Sequence, residues 1–150
     1  IPNSSLSIYG FTSDYSDSEI NTLTVYREDG LKRPYALGQM KDKASNRDGV
    51  CIRALINKLK RPTSKTLLFI ISDGSPAGSN YYGNAAIKDT RLAVEEATRM
   101  GYVPIQIGIE VDSETQGLMF TDYVNYDSSK QMVEAIRKLL RTKLAKTLGV

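Results

Sequence analysis

Apolar runs and polar breaks follow one another along this chain in a rhythm that predicts strands and helices in turn. Leu6 to Phe11 and Leu23 to Arg27 are short and rich in strand-forming residues, so each reads as a strand. The polar, acidic stretch from Thr12 to Asn21 between them reads as a loop, and Asp29-Gly30 stops the second strand. Leu31 to Arg47 has no clean period, contains Pro34 and Gly38, and reads as a loop with room for a short helix. From Asp48 onward, Ile52, Leu55, Ile56 and Leu59 recur at helical spacing on one face, and Pro62 lies just past the end. Thr66 to Ile71 is a continuous apolar run, which predicts a strand covered on both faces, as in a parallel sheet.

A second helix is predicted over Asn84 to Met100, with Ile87, Thr90, Val94 and Ala97 inward and Gly101 at its end. Val103 to Ile109 is another buried strand, with Pro104 tolerable near its start. Ser113 with Gln116 has capping-box spacing and predicts a short helix. Tyr123 to Tyr126 is a last strand. Ser128 with Gln131 opens a long helix with Met132, Ile136, Leu139 or Leu140, and Leu144 inward. Buried strands alternating with helices imply right-handed crossovers and an α/β fold: three αβα layers around a mostly parallel sheet flanked by helices. A length of 150 residues suits one domain.

Composition removes several classes of function. With 20 basic and 17 acidic side chains, the net charge of +3 is too balanced to argue for a nucleic-acid partner. No apolar run approaches the ~20 residues that cross a bilayer. The segment from Ile1 to Ser5 does not resemble a secretory leader, and the chain is expected to be a piece of a longer protein. Cys51 is the single cysteine, so an internal disulfide is excluded, which fits a cytoplasmic setting. Histidine is absent, which excludes a Ser-His-Asp or Cys-His pair and a zinc site built on histidine or several cysteines. Any metal must be held by oxygen, which points to Mg²⁺, Mn²⁺ or Ca²⁺. Neither a glycine-rich phosphate loop nor a Gly-x-Ser-x-Gly elbow is present.

Two loops carry candidate chemistry. Asp73 follows the strongest strand, and open α/β sheets bind ligands at the carboxyl ends of their strands. Ser72-Asp73-Gly74-Ser75 offers one carboxylate and two hydroxyls, all hard donors, and Gly74 frees the backbone to turn. The same letters also make an ordinary turn. A carboxylate at a buried strand end is costly unless paired or bound to a cation. Asn46-Arg47-Asp48-Gly49 opens the first helix, where Asp48 is a ligand, an N-cap, or both. Tyr81 and Tyr82, in the loop after Asp73, read either as an exposed aromatic contact for a partner or as loop packing. The last helix carries Lys130, Arg137, Lys138, Arg141, Lys143 and Lys146 against the single acid Glu134. It reads as a solvated face, with an acidic partner as the alternative.

These stretches together resemble a known family. Asn46-Arg47-Asp48-Gly49-Val50-Cys51-Ile52-Arg53, then Lys60-Arg61-Pro62 and LLFIISDGSP from Leu67 to Pro76, resemble the central part of a von Willebrand factor A (VWA) domain. Tyr82-Gly83, Ile87 to Arg91 and Ile105 to Ile109 continue the likeness, and Ile8 to Thr12 is similar to the family's second strand. In particular the chain resembles the VWA domains of cobaltochelatase T-subunit (CobT-like) and nitric oxide reductase activation (NorD-like) proteins. The resemblance implies a non-enzymatic module with a metal-ion-dependent adhesion site for Mg²⁺ or Mn²⁺. Asp73 matches one ligand loop; Asp48, with Asn46, matches another; Ser75 lies beside them. It further implies a MoxR-type or magnesium-chelatase-type AAA+ ATPase as partner, possible service in cobalamin biosynthesis, and a partner carboxylate completing the shell.

The chain departs from the family in lacking a DxSxS motif. Asp14-Tyr15-Ser16-Asp17-Ser18 has similar letters but follows the stretch that resembles the second strand. The family's first strand and helix are expected upstream of Ile1. The sheet is then expected to close differently, to borrow a strand, or to leave an exposed edge. Weak or no Mg²⁺ binding is expected of this chain alone, because Mg²⁺ demands near-octahedral oxygen coordination. Two other readings stay open at this point: a receiver-like domain accepting a phosphoryl group on Asp73, and an Mg²⁺-dependent hydrolase.

Overall fold

The structure is a computed structural model and describes residues 5–13, 22–27, 38, 45–64, 66–126 and 129–148. Its elements are β1 (Ile8–Thr12), β2 (Thr22–Arg27), α1 (Asp48–Leu59), β3 (Thr66–Ser72), α2 (Gly83–Arg99), β4 (Tyr102–Ile109), α3 (Ser113–Met119), β5 (Tyr123–Tyr126) and α4 (Ser129–Leu148). The order matches the periodicity of the sequence. The fold is α/β: β3, β4 and β5 form a parallel sheet in the order β3-β4-β5, with helices packed around it, consistent with three αβα layers. β1 and β2 pair antiparallel in a separate two-stranded sheet. The loop expected from Thr12 to Asn21 and the segment from Leu31 to Arg47 lie largely outside the described residues.

Strand register decides which side chains meet the helices. Leu68, Ile70 and Ser72 of β3 stand opposite Pro104, Gln106 and Gly108 of β4, on one face of the sheet. That face receives Ile52 and Ile56 of α1, Ala93, Val94 and Ala97 of α2, and Met119 and Phe120, which form one core with Leu68, Ile70 and Tyr102. Each large aliphatic side chain buried there contributes about 2 kcal/mol. The predicted inner faces of both helices hold, with Leu55, Leu59 and Ile87 partly buried against the same core.

The opposite face is covered unevenly. Ile105, Ile107 and Val124 are buried there, and α4 packs against β5. β3 lies beyond that cover, with Phe69 38% and Ile71 58% exposed. The expectation that the Thr66–Ile71 run is covered on both faces is therefore wrong. An unbroken apolar run cannot reveal how far the covering helix reaches, and β3 sits at the end of the sheet. Among the described residues, its outer edge pairs with no strand. The β1–β2 sheet meets the rest near its end, where Ser13 N donates to Ser45 O at 2.9 Å, and where Lys58 of α1 lies 5.9 Å from the Tyr9 ring. An apolar edge without charge or proline invites pairing with another chain. Ile71→Lys is expected to suppress concentration-dependent association with little change in melting temperature. Sedimentation velocity over a concentration series checks this, and unchanged association would clear this edge.

One helix start differs from the sequence reading. α3 is capped by Asp112, which accepts from Thr115 N at 2.8 Å, and not by a Ser113–Gln116 box. Gln116 turns into the interior and is fully buried. Ser128 lies outside the described residues. Met132, Ile136, Leu139 and Leu140 of α4 are half-buried. Lys143 Nζ meets Asp122 Oδ2 at 2.5 Å and ties that helix to the end of the sheet. Among the described residues, no helix is long and apolar enough to cross a membrane.

Candidate metal centre

The two acidic loops, distant in sequence, meet at the carboxyl end of β3. The chain leaves β3 at Ser72 and reverses at Gly74, whose φ of +69° suits glycine. A Cβ there would also lie 2.5 Å from Val111 Cγ1. The reversal carries the chain back to Asn46, whose backbone exchanges both hydrogen bonds with Ala77 at 3.0 Å. The Asn46 Nδ2 donates to Ser75 O at 3.2 Å and to Asp48 Oδ1 at 3.3 Å. In this orientation the amide nitrogen faces both acceptors, so Asn46 acts as a strut between the loops.

Asp48 is the first residue of α1. The N-cap position belongs to Arg47, which makes no side-chain capping bond. The N-cap reading of Asp48 is thereby excluded. Its side chain is fully buried, and Oδ2 has no hydrogen-bond partner. Burial, and after it the neighbouring Asp73 carboxylate, push the Asp48 carboxyl from 3.8 up to about 7; hydrogen bonds from Asn46 and Ser72 pull the other way. Among the described residues, no basic side chain is one of the groups that set its state.

Ser72 is held in place from below. Its buried Oγ accepts from Gly74 N at 3.3 Å and from Gln106 Nε2 at 3.0 Å. A hydroxyl has two acceptor lone pairs and one proton, so its proton is left for Asp48. Asp73 is exposed, and its Oδ1 accepts from Ser75 N at 3.0 Å in an Asx turn. The centre thus brings together four groups singled out in the sequence, Asn46, Asp48, Asp73 and Ser75. It adds one that was not, Gln106, beneath the Ser72 hydroxyl that the sequence had also offered. A lone glutamine in the apolar Val103–Ile109 strand was the available signal for Gln106.

The two tyrosines part company. Tyr81 is half-buried: its hydroxyl donates to Asp89 Oδ2 at 2.8 Å and accepts from Gly49 N at 3.2 Å, and Arg47 lies 5.5 Å from the ring centroid. Loop packing is therefore its role. Tyr82 is 72% exposed beside it and keeps the surface position expected of a contact residue. Cys51 is buried near Asp48. Its thiol is pushed up to about 12, by burial and then by the Asp48 charge, which makes it a poor nucleophile.

The donor chemistry fits a hard divalent cation. Asp48 and Asp73 supply carboxylate oxygens and Ser75 a hydroxyl, and the unpartnered Asp48 Oδ2 is an orphan of the kind a cation satisfies. Among the described residues, no group of three His, Cys, Asp or Glu side chains stands ready to hold an ion. Two carboxylates leave most of an octahedral shell to water or to another molecule.

The chain is 30% identical, over 122 residues and 76% of its length, to the uncharacterized protein YojO of Bacillus subtilis (strain 168). It spans 19% of that protein's length. No protein-family model matches the chain. No solved structure matches it either.

Proposed function

We propose that this chain is a cytoplasmic protein-interaction module of the VWA type, in which Asp48 and Asp73, with the Ser75 hydroxyl, hold Mg²⁺ or Mn²⁺. An acidic group of a partner completes the shell. The observation that supports this reading most is the fully buried Asp48, with one carboxylate oxygen unpartnered, a second carboxylate beside it and, among the described residues, no basic side chain to offset the pair. Two neighbouring carboxylates with no cation are unfavourable, and a bound divalent ion reverses the sign of that interaction. The proposed role is non-catalytic, as the resemblance in sequence implies. The resemblance in sequence makes a MoxR-type or magnesium-chelatase-type AAA+ ATPase the proposed partner, with cobalamin biosynthesis as one setting. Tyr82, exposed in the loop that follows Asp73, is the proposed contact residue.

The test is Mn²⁺ binding, followed by electron paramagnetic resonance up to high metal concentration. Asp73→Ala is the control, and acetate stands in for the partner's carboxylate. Binding is expected to be weak for the chain alone, to tighten with acetate, and to vanish in Asp73→Ala. Wild-type protein that binds no Mn²⁺ with or without acetate would sink the proposal. Stable labelling of Asp73 by acetyl phosphate would instead favour a phosphoryl-accepting domain.

A further inference from the structure

We infer that Tyr81 is a positioning residue for this centre: its hydroxyl fixes the start of α1, and so Asp48, against the loop that follows Asp73. The inference rests on the cation-binding reading above. It begins from a gap in the capping of α1. The first turn of a helix leaves backbone N–H groups without partners, and Arg47 at the N-cap offers no side-chain acceptor. Gly49 N, adjacent to Asp48, finds its acceptor across the loop, in the Tyr81 hydroxyl at 3.2 Å.

That hydroxyl is not free to rotate. Its proton goes to Asp89 Oδ2 at 2.8 Å, a charge-assisted bond. The other Asp89 oxygen accepts from an Arg53 NH1 at 2.8 Å, and Arg53 is in turn held by Glu96 through two bonds of 2.8 and 3.1 Å. With the proton committed to Asp89, a lone pair is left for Gly49. Burial above all pushes the phenol above its ordinary value, so the hydroxyl keeps its proton.

The backbone end of Tyr81 is equally constrained. Gly78 N donates to Tyr81 O at 2.8 Å, and Tyr81 N donates to Gly78 O at 3.1 Å. Arg47 stacks over the ring and donates to Ser79 O, closing the loop onto the residue before Asp48. The Asn46–Ala77 bridge stands on the side nearer Asp73, and the Tyr81–Gly49 bond on the far side. Together they clamp the two acidic loops at two points. Groups that orient a ligand typically alter metal affinity by about 10- to 100-fold when removed.

Tyr81→Phe deletes only the oxygen. It is expected to lower Mn²⁺ affinity about tenfold. The Gly49 amide is expected to lose its exchange protection. Val94→Ala, in the core away from the clamp, supplies a matched loss of thermal stability and is expected to leave Mn²⁺ affinity unchanged. Asp89→Asn keeps the hydroxyl but gives it a neutral acceptor, so it is expected to lose affinity in the same direction and by less; it serves if Tyr81→Phe does not fold. Equal affinity in Tyr81→Phe and wild type, or in Asp89→Asn and wild type where only that variant folds, overturns the inference and leaves the cation site standing. Absence of Mn²⁺ binding in the wild type overturns both.

Discussion

Replacing Asp48 with asparagine is expected to stabilise the cation-free protein at neutral pH and above, although it alters a fully buried residue at the head of a helix. The folded-state value is raised from 3.8 to about 7, so folding favours the protonated acid. The stability associated with that proton is fully present below pH 3.8 and is lost as pH rises towards about 7. Across that window the loss is about 4 kcal/mol at most. Asparagine keeps the shape and carries no charge. An acid in the first turn gains ~0.3–1 kcal/mol from the helix dipole, which is too little to reverse the sign. A net gain of about 2 kcal/mol at pH 8 is expected for Asp48→Asn. Urea unfolding at pH 5 and pH 8 checks it, since the wild type should weaken between them more steeply than the variant. Saturating Mn²⁺ should then stabilise the wild type and leave Asp48→Asn unmoved. A variant less stable than wild type at pH 8 without metal would show that the Asp48 carboxylate is compensated in the fold.

Gly49→Ala is expected to be the most damaging single methyl addition near the centre. The new Cβ would lie 2.4 Å from Asp89 Oδ2, and 2.9 Å from both the Asp89 backbone oxygen and the Tyr81 hydroxyl. Asp89 Oδ2 cannot swing away cheaply, because Tyr81 and Arg53 hold the carboxylate, and the Asp89 backbone oxygen belongs to α2. Alanine is the better helix former by ~1 kcal/mol. Overpacking costs ~1–3 kcal/mol, and stripping the Gly49 N–H of its acceptor costs another ~1–3 kcal/mol. The penalties win, and a net loss of about 3 kcal/mol is expected, or roughly 8 °C in melting temperature for a domain of this size. Thermal unfolding followed by circular dichroism decides it. A melting temperature at or above the wild-type value would mean that α1 and α2 have room to separate.

Much of the fold was legible in the sequence because it depends on local period. The 3.6-residue spacing of Ile52, Leu55, Ile56 and Leu59 can serve only a helix with one buried face, and that face is in the core. Apolar runs broken by Asp73-Gly74 and bounded by Gly101 mark strands and helix ends through backbone chemistry that acts within a few residues. The position of Asp73 at a strand end and of Asp48 at a helix start follows from the same local rules. Which cover lies over β3 does not, because the cover of that face buries Ile105 and Ile107 of β4 but ends short of Phe69 and Ile71, and this is a matter of long-range packing. The cap of α3 was misread for a related reason: Asp112 and Ser113 both suit that position, and the choice fell to Asp112 with Gln116 drawn into the interior.

What the sequence determined by itself is therefore the set of elements and the stock of oxygen donors, with histidine absent and the lone cysteine left without a disulfide partner. What only the tertiary structure decided is how those donors act. It brought Asp48 beside Asp73, left Asp48 Oδ2 without a partner, and turned Tyr81 inward while Tyr82 stayed in solvent. Charge and hydrogen-bonding capacity belong to each residue, but their energetic cost depends on burial and on neighbours, which exist only once distant parts of the chain have packed together.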